Sequence, residues 1–304
     1  MRRLSRSEAS QATFGDFSGA DCARERRRTA IAEDEKELYD FAPRSTGPRI
    51  PIGLPQAEFT AQASAYFRTH GLVRLDGLLS AVEAKRLAVH VDLLLSTACK
   101  QVCSSQSAFL DLFGPIMSRA NRYDLLLPLD SVVLPAAKNV LQRVGATLQE
   151  IVGDCHLCEL TALVSDSGAA AQPVHHDTSF DGTPPRVSLL VALQDITDDM
   201  GPTIWFPATN TPAWHLKYSA RGDDLEDLLG ESTHIRGLLG IGDAVLYDTR
   251  LLHCGGANTQ QRRALLTLSM QLEDSSSQEM HANIKRGYRS RLRIRDAPHW
   301  SEMA

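Results

Sequence analysis

The chain changes texture at Gly153, and that change limits its fold more than any other feature. Upstream, apolar residues recur at helical spacing. "AEFTAQASAYFRTHG" reads as a helix that stops at Gly71, and "LVRLDGLLS" as a short strand leading to Ser80. Ser80 and Glu83 form an S-x-x-E capping box. Beyond it Leu87, Val91, Leu94, Leu95 and Ala98 fall on one helical face. A third helix is expected from about 135 to 152, with Val140, Val144, Leu148 and Ile151 on one stripe and Gly153 as its stop. Downstream, "HLCELTALV", "RVSLLVAL", "TIWFPA", "DAVLYDT" and "RALLTLSMQL" are short β-branched or leucine-rich runs separated by Gly, Pro, Asn and Asp. Helices packed against an all-strand half describe an α+β chain. The strand half is expected to form a sandwich or an open barrel.

Between two of these runs lies "QPVHHDTSFDG", Gln172 to Gly182. An H-x-D is common by chance, and the chain contains a second one, His90 and Asp92 in "VHVD". That copy lies inside the capped helix, where residues i and i+2 point about 200° apart and cannot share an ion. His175 and Asp177 lie in strand-and-turn territory, where i and i+2 share a face. His176 points the other way and is expected to be a surface or supporting residue. A third metal ligand is offered by His253, in "GDAVLYDTRLLHCGGANTQQRRALLTLSM". Gly242 and Asp243 mark a turn, a strand follows, and His253 is expected at its end. Two histidines and one carboxylate on one side of an ion leave three positions open. That suits a non-haem Fe(II) oxygenase and not a closed zinc site. Alone, His253 would read as an ordinary strand-end histidine.

The ordered set of motifs resembles the phytanoyl-CoA dioxygenase family of Fe(II)/2-oxoglutarate-dependent oxygenases. "QPVHHD" is similar to that family's Q-x-x-H-x-D, and "MGPTIWFPATN" to its N-G-x-x-x-x-x-P-G-S-H segment. "GDAVLYDTRLLHCGGANTQQRRALLTL" is similar to its G-D, H-x-x-x-x-N and following Arg. "YFRTHGLVRLDGLLSAVEAKRL" is similar to its opening helix, strand and helix, so the likeness runs from about 58 to 272. The resemblance implies a double-stranded β-helix, a cupin-like jelly-roll core with helices packed outside, and iron bound by His175, Asp177 and His253. It implies 2-oxoglutarate as cosubstrate and O2 as oxidant, with succinate and CO2 released. The far carboxylate of 2-oxoglutarate needs a cation in fork geometry. Arg262 and Arg263 compete for that role; the family's R-x-A pattern favours Arg262. Thr203 stands where relatives carry a small polar group near the cosubstrate. A carboxylate at Asp177 favours hydroxylation of an unactivated C–H, or a related desaturation or cyclisation, over halogenation. Two departures bear on the cosubstrate pocket. The P-G-S-H segment is here Pro207-Ala208-Thr209-Asn210, and the strand "VSLLVAL" carries no aromatic residue.

Bulk properties narrow the partners. A net charge of −5 with 23% charged residues gives no basic excess for nucleic acid. No run reaches the ~18 apolar residues of a membrane span. A small-molecule substrate is therefore expected. Arg119, Asn121, Arg122, Tyr123 and Arg250 are candidates to meet an anionic one, or to be surface ion pairs. Six scattered cysteines read as reduced intracellular thiols, the Cys155/Cys158 C-x-x-C included, which places the chain in the cytoplasm with an organelle left open. Residues 1–50 read as a loose arm, 51–275 as the oxygenase domain and 276–304 as a solvated tail. Two other readings stay open: a non-catalytic or other-metal jelly-roll binding protein, and an oxygenase acting on a macromolecule.

Overall fold

The computed structural model describes residues 49–51, 53–107, 109–180, 186–220, 234–272 and 293–295. The elements run β1 (Arg49–Pro51), α1 (Gln56–His70), β2 (Leu72–Asp76), α2 (Ala81–Cys103), α3 (Phe109–Leu112), β3 (Arg122–Leu126), α4 (Val133–Val152), β4 (Cys155–Ser165), β5 (Arg186–Ala192), β6 (Thr203–Trp205), α5 (Pro212–Ala220), β7 (Ile235–Arg236), β8 (Ala244–Asp248), β9 (His253–Gly255) and β10 (Arg263–Leu272). The helix stops expected from sequence are present. Gly71 closes α1 in the left-handed region at φ 76°, donating its N–H to the Phe67 carbonyl. Ser80 and Glu83 complete the capping box of α2, worth about 1 kcal/mol.

Seven strands form one sheet in the order β1-β2-β8-β5-β10-β4-β3, and three form a second in the order β7-β6-β9. β5 is buried along its whole length, so its run shows no alternation of apolar and polar residues. Alternate residues nonetheless face different surroundings. Val187, Leu189 and Val191 join a core with Leu87 and Val91 of α2 and Val140 and Val144 of α4. Leu190 and Ala192 join a second core with Trp205 of the small sheet. Helices therefore cover one face of the large sheet. Its other face carries the smaller core and, beyond it, the cavity described below. A bulge in β4 opposite Ser269/Met270 reverses the side-chain parity there, so Leu157 and Leu160 both reach the helix-covered core.

Three expectations change. β3 falls in a stretch read only as a possible substrate-contacting segment; it pairs antiparallel with β4 and forms the sheet edge. His253 does not end the strand that starts after Gly242. That strand stops at Asp248, the chain turns, and His253 opens β9 in the other sheet. The C-terminal segment is not wholly solvated: Ile294 is buried in the large core, and Arg293 and Arg295 both pair with Asp154. Of the expected arm, residues 1–48 lie outside the described residues, while Arg49 and Ile50 are strand residues paired with β2. Cys155, Cys158 and Cys254 are buried and form no disulfide among the described residues. Among the described residues no helix is long and apolar enough to cross a membrane.

Candidate metal centre and its cavity

His175 and His253 meet as a two-residue antiparallel bridge. The His175 N–H donates to the His253 carbonyl at 2.9 Å, and the His253 N–H donates back at 2.8 Å. This pairing sets the two rings side by side, with centroids 4.4 Å apart. Two residues on, the Asp177 N–H donates to the Thr249 carbonyl at 2.8 Å, which fixes the third side chain against the turn after β8. Asp177 Oδ1 lies 3.8 Å from His175 Nε2 and 3.6 Å from His253 Nε2. Among the described residues these three form the group that brings metal-ligating atoms together, all within 4.8 Å of one another.

Their protonation suits a cation. Each histidine Nδ1 lies on a backbone carbonyl, His175 on Pro173 at 2.8 Å and His253 on Leu251 at 2.9 Å. A carbonyl only accepts, so each Nδ1 carries the proton and each Nε2 presents its lone pair to the shared point. Burial, with His253 beside it, pulls His175 down to about 4, so its ring is neutral at physiological pH. Burial alone would raise Asp177. His253, His175, Arg186 and the Tyr247 hydroxyl outweigh it and hold the carboxyl below the usual carboxylate range. Tyr247 donates to Asp177 Oδ2 at 3.0 Å. Its own pKa is raised far above the usual phenol value, first by burial and then by Asp177, so the hydroxyl remains a donor. Oδ2 is thus occupied and Oδ1 is left for an ion. Two imidazoles that turn Nε2 to a shared point and one carboxylate on one side fit a divalent metal with open positions.

The triad opens onto a cavity of about 430 Å³, a size usual for a small-molecule site. The small sheet contributes Thr203 and His253 to its wall. The large sheet contributes Asp124, Glu159, Thr161, Leu163, Arg186, Ser188, Leu190, Tyr247 and Thr267. Gln172, from the "QPVHHD" stretch, ties the rim together. Its Oε1 accepts from the Gly255 N–H at 2.9 Å, and its Nε2 donates to the Met117 carbonyl at 3.0 Å.

The two arginines are placed in the reverse of the expected order. Arg262 is outside the cavity, with Nε 2.6 Å from Asp166 and Nη1 2.9 Å from Asp92. Its single charge is already matched by two carboxylates, so the expectation that it faces the site is corrected. Arg263 begins β10, is buried to 1% exposure and lines the cavity. It donates to the Gly201 carbonyl. Its Nε has no partner, and no carboxylate pairs with it among the described residues. Burial, with Arg122 nearby, lowers it to about 9. A buried guanidinium with free donors is costly unless an anion completes it. The signal that identifies it was in the sequence. On β10, Arg263, Thr267 and Ser269 share one face, while Ala264, Leu266, Leu268 and Met270 share the other.

The remaining candidates separate clearly. Thr203 is buried at the cavity wall. His176 also lines the cavity and stacks on His215, with centroids 4.1 Å apart. Arg122 is buried and donates to the carbonyls of Ser118, Ala170 and Gly256, a structural post rather than a surface charge. Arg250 pairs with Asp248 and lies over the Phe180 ring at 4.7 Å. Arg119 lines the cavity and lies over Phe109 at 4.3 Å. Tyr123 packs on the large core, and Asn121 is exposed with φ 55°. The sequence pointed to neither Tyr247 nor Asp124, and marked Gln172 only as part of the Q-x-x-H-x-D motif. β5 offers the cavity no aromatic residue, but Tyr247 of β8 lines it. Where the family motif has glycine, Ala208 adopts φ 62°, the left-handed region that favours glycine. Thr209 still locks that turn, donating to the Phe206 carbonyl and accepting from the Leu252 N–H.

The sequence profile of the phytanoyl-CoA dioxygenase (PhyH) family matches residues 67–264. "Iron/alpha-ketoglutarate-dependent dioxygenase penM" of Penicillium thymicola is 32% identical over 240 residues, covering 71% of this chain and 70% of that protein. "Dioxygenase sphC" of Aspergillus fumigatus is 22% identical over 243 residues, 73% of this chain; the chain spans only 62% of that protein's length. Among solved structures, the non-haem alpha-ketoglutarate-dependent epimerase SnoN from nogalamycin biosynthesis superposes with a TM-score of 0.50 at 18% identity, over 71% of this chain and 81% of that one, a likeness of fold.

Proposed function

The chain belongs to the phytanoyl-CoA dioxygenase family, and from that premise we propose that it is an Fe(II)- and 2-oxoglutarate-dependent dioxygenase oxidising an unactivated C–H of a small molecule. The observation that carries the reading is the convergence of His175 Nε2, His253 Nε2 and Asp177 Oδ1 on one point at the cavity wall. These atoms would hold the iron. The carbonyls of Pro173 and Leu251 keep both rings in the ligating tautomer, and Tyr247 restrains the second carboxylate oxygen. Arg263 would receive the far carboxylate of 2-oxoglutarate, with Thr203 beside it. Its orphaned Nε and its lack of a protein carboxylate support that role over Arg262. Iron and 2-oxoglutarate, when bound, supply the oxidising chemistry with O2, releasing succinate and CO2. The protein's share is to orient the partners and to offer apolar wall at Leu163 and Leu190 for the substrate's hydrocarbon.

We also read the two sheets as halves of a double-stranded β-helix. The antiparallel run β8-β5-β10-β4, the separate β7-β6-β9 sheet and a cavity walled by both support this. The test is to supply Fe(II) and 2-oxoglutarate to the purified protein and measure succinate formation and Mn(II) binding. Succinate above background and one Mn(II) site, both lost in His175→Ala, are expected. Full turnover in that variant would sink the assignment.

A further inference from the structure

Of the three carboxyls lining the cavity among the described residues, one has neither the metal point nor a paired cation beside it. Asp177 faces the metal point, and Arg263 faces the cosubstrate end. Glu159 is matched by Arg186 and accepts a further hydrogen bond from Ser269 at 2.8 Å. Arg119 lies on the Phe109 ring. Asp124, on the edge strand β3, has only the Thr161 hydroxyl as a side-chain donor; Arg186 and Arg119 act on it as charges, but no cationic nitrogen forms an ion pair with it among the described residues. Burial first, and the negative charge of Glu159 second, push it up to about 7. Its ionised form is under-compensated in the protein alone. Directly across from Thr161 on β10, the buried Thr267 Oγ1 also lines the cavity and has no hydrogen-bond partner. Two neighbouring positions on one wall therefore lack what a ligand could provide.

We propose that Asp124 is the specificity-determining residue of this cavity: its carboxyl receives a hydrogen-bond donor of the substrate, an ammonium or a hydroxyl, and turns away a substrate that presents a carboxylate there. The inference rests on the oxygenase reading above and names the substrate class of that same site. A divalent iron and a 2-oxoglutarate dianion together bring no net charge into the cavity. An anion beside Asp124 and Glu159 would add like charge in a dry wall, whereas a donor would complete the Asp124 carboxyl.

The experiment uses the full chain loaded with Mn(II) and 2-oxoglutarate. Three probes share one ring and differ in one group: cyclohexylamine, cyclohexanol and cyclohexanecarboxylate. Paramagnetic broadening of their ring protons by the bound Mn(II) reads binding near the metal. The amine or the alcohol is expected to bind about tenfold more tightly than the carboxylate, the size of one charge-assisted hydrogen bond. An ammonium donor predicts that Asp124→Asn weakens the amine about tenfold. A hydroxyl donor predicts that Asp124→Leu does so for the alcohol. A carboxylate bound as well as the others, a ranking unchanged in both variants, or no broadening with any probe overturns the proposal. A wild-type ranking without the expected preference overturns the proposal before any variant is made, so misfolding of a mutant does not rescue it. Failure of Mn(II) to bind at all sinks the oxygenase reading itself, and the water proton relaxation of the same sample reports that separately.

Discussion

His90-x-Asp92 and His175-x-Asp177 are the same three-residue pattern in two backbones. On α2 the pair diverges. His90 Nε2 meets Asp130 at 2.7 Å, and Asp92 turns away to Arg262. In the extended segment the pair converges, and a cross-strand bridge brings His253 to the same point. The contrast teaches that metal-ligating chemistry is a property of backbone conformation before it is one of residue type. Arg262 and Arg263 repeat the lesson one residue apart. One is a surface tie between α2 and the segment after β4; the other is a buried, incompletely satisfied cation at the cavity.

The sharpest way to break the comparison is to remove one histidine from each copy. His175→Ala and His253→Ala should abolish Mn(II) binding and lower succinate formation by more than the ~10–100-fold that an outer-shell partner costs, while His90→Ala should leave the metal site intact. Equal losses would show that the two copies are not distinguished by geometry. Next comes the arginine pair. Arg263→Ala should raise the KM for 2-oxoglutarate about 100-fold, the worth of charged hydrogen bonds to a carboxylate. Arg262→Ala should change that KM little and cost at most about 1 kcal/mol in urea unfolding. Tyr247→Phe frees Asp177 Oδ2 and should weaken metal affinity by roughly tenfold, read by Mn(II) titration.

The smallest effect belongs to the helical copy. Asp130, the partner of His90, also accepts the N–H groups of Val132 and Val133 at 2.9 Å each. Burial would raise its pKa, but those two N–H groups and His90 together lower it. A depressed carboxyl stabilises the fold above its unfolded value and loses that contribution as pH falls through the folded value. Asp130→Ala should therefore cost about 1 kcal/mol at neutral pH, and the difference from wild type should vanish in acid. A difference that persists there would assign the cost to packing instead of the carboxylate's hydrogen bonds.

Much of this was legible in the sequence because it rests on local rules. The stops at Gly71 and Gly153, the Ser80 box and the strand-rich half follow from φ preference, orphan N–H groups and β-branched runs. The proposed metal trio was expected from period-2 logic for His175 and Asp177 and from motif order for His253. β3 and β9 were not legible as strands. β9 spans three residues and β3 lies at a sheet edge, so neither gives a long periodic signal. Asp124 was invisible for the same reason: its role depends on Glu159 and Thr161, some 35 residues later on β4.

Local sequence settled which residue types were available for a metal, where helices stop, and that the second half would pair as strands, since these depend on neighbours within a few residues. Only the tertiary structure decided which neighbouring arginine is buried, which strand supplies the aromatic hydroxyl to Asp177, and which wall carboxyl is left wanting a donor. Those outcomes are set by strand parity and cross-sheet pairing, and a side chain's charge is matched or stranded only once the distant strands close around it.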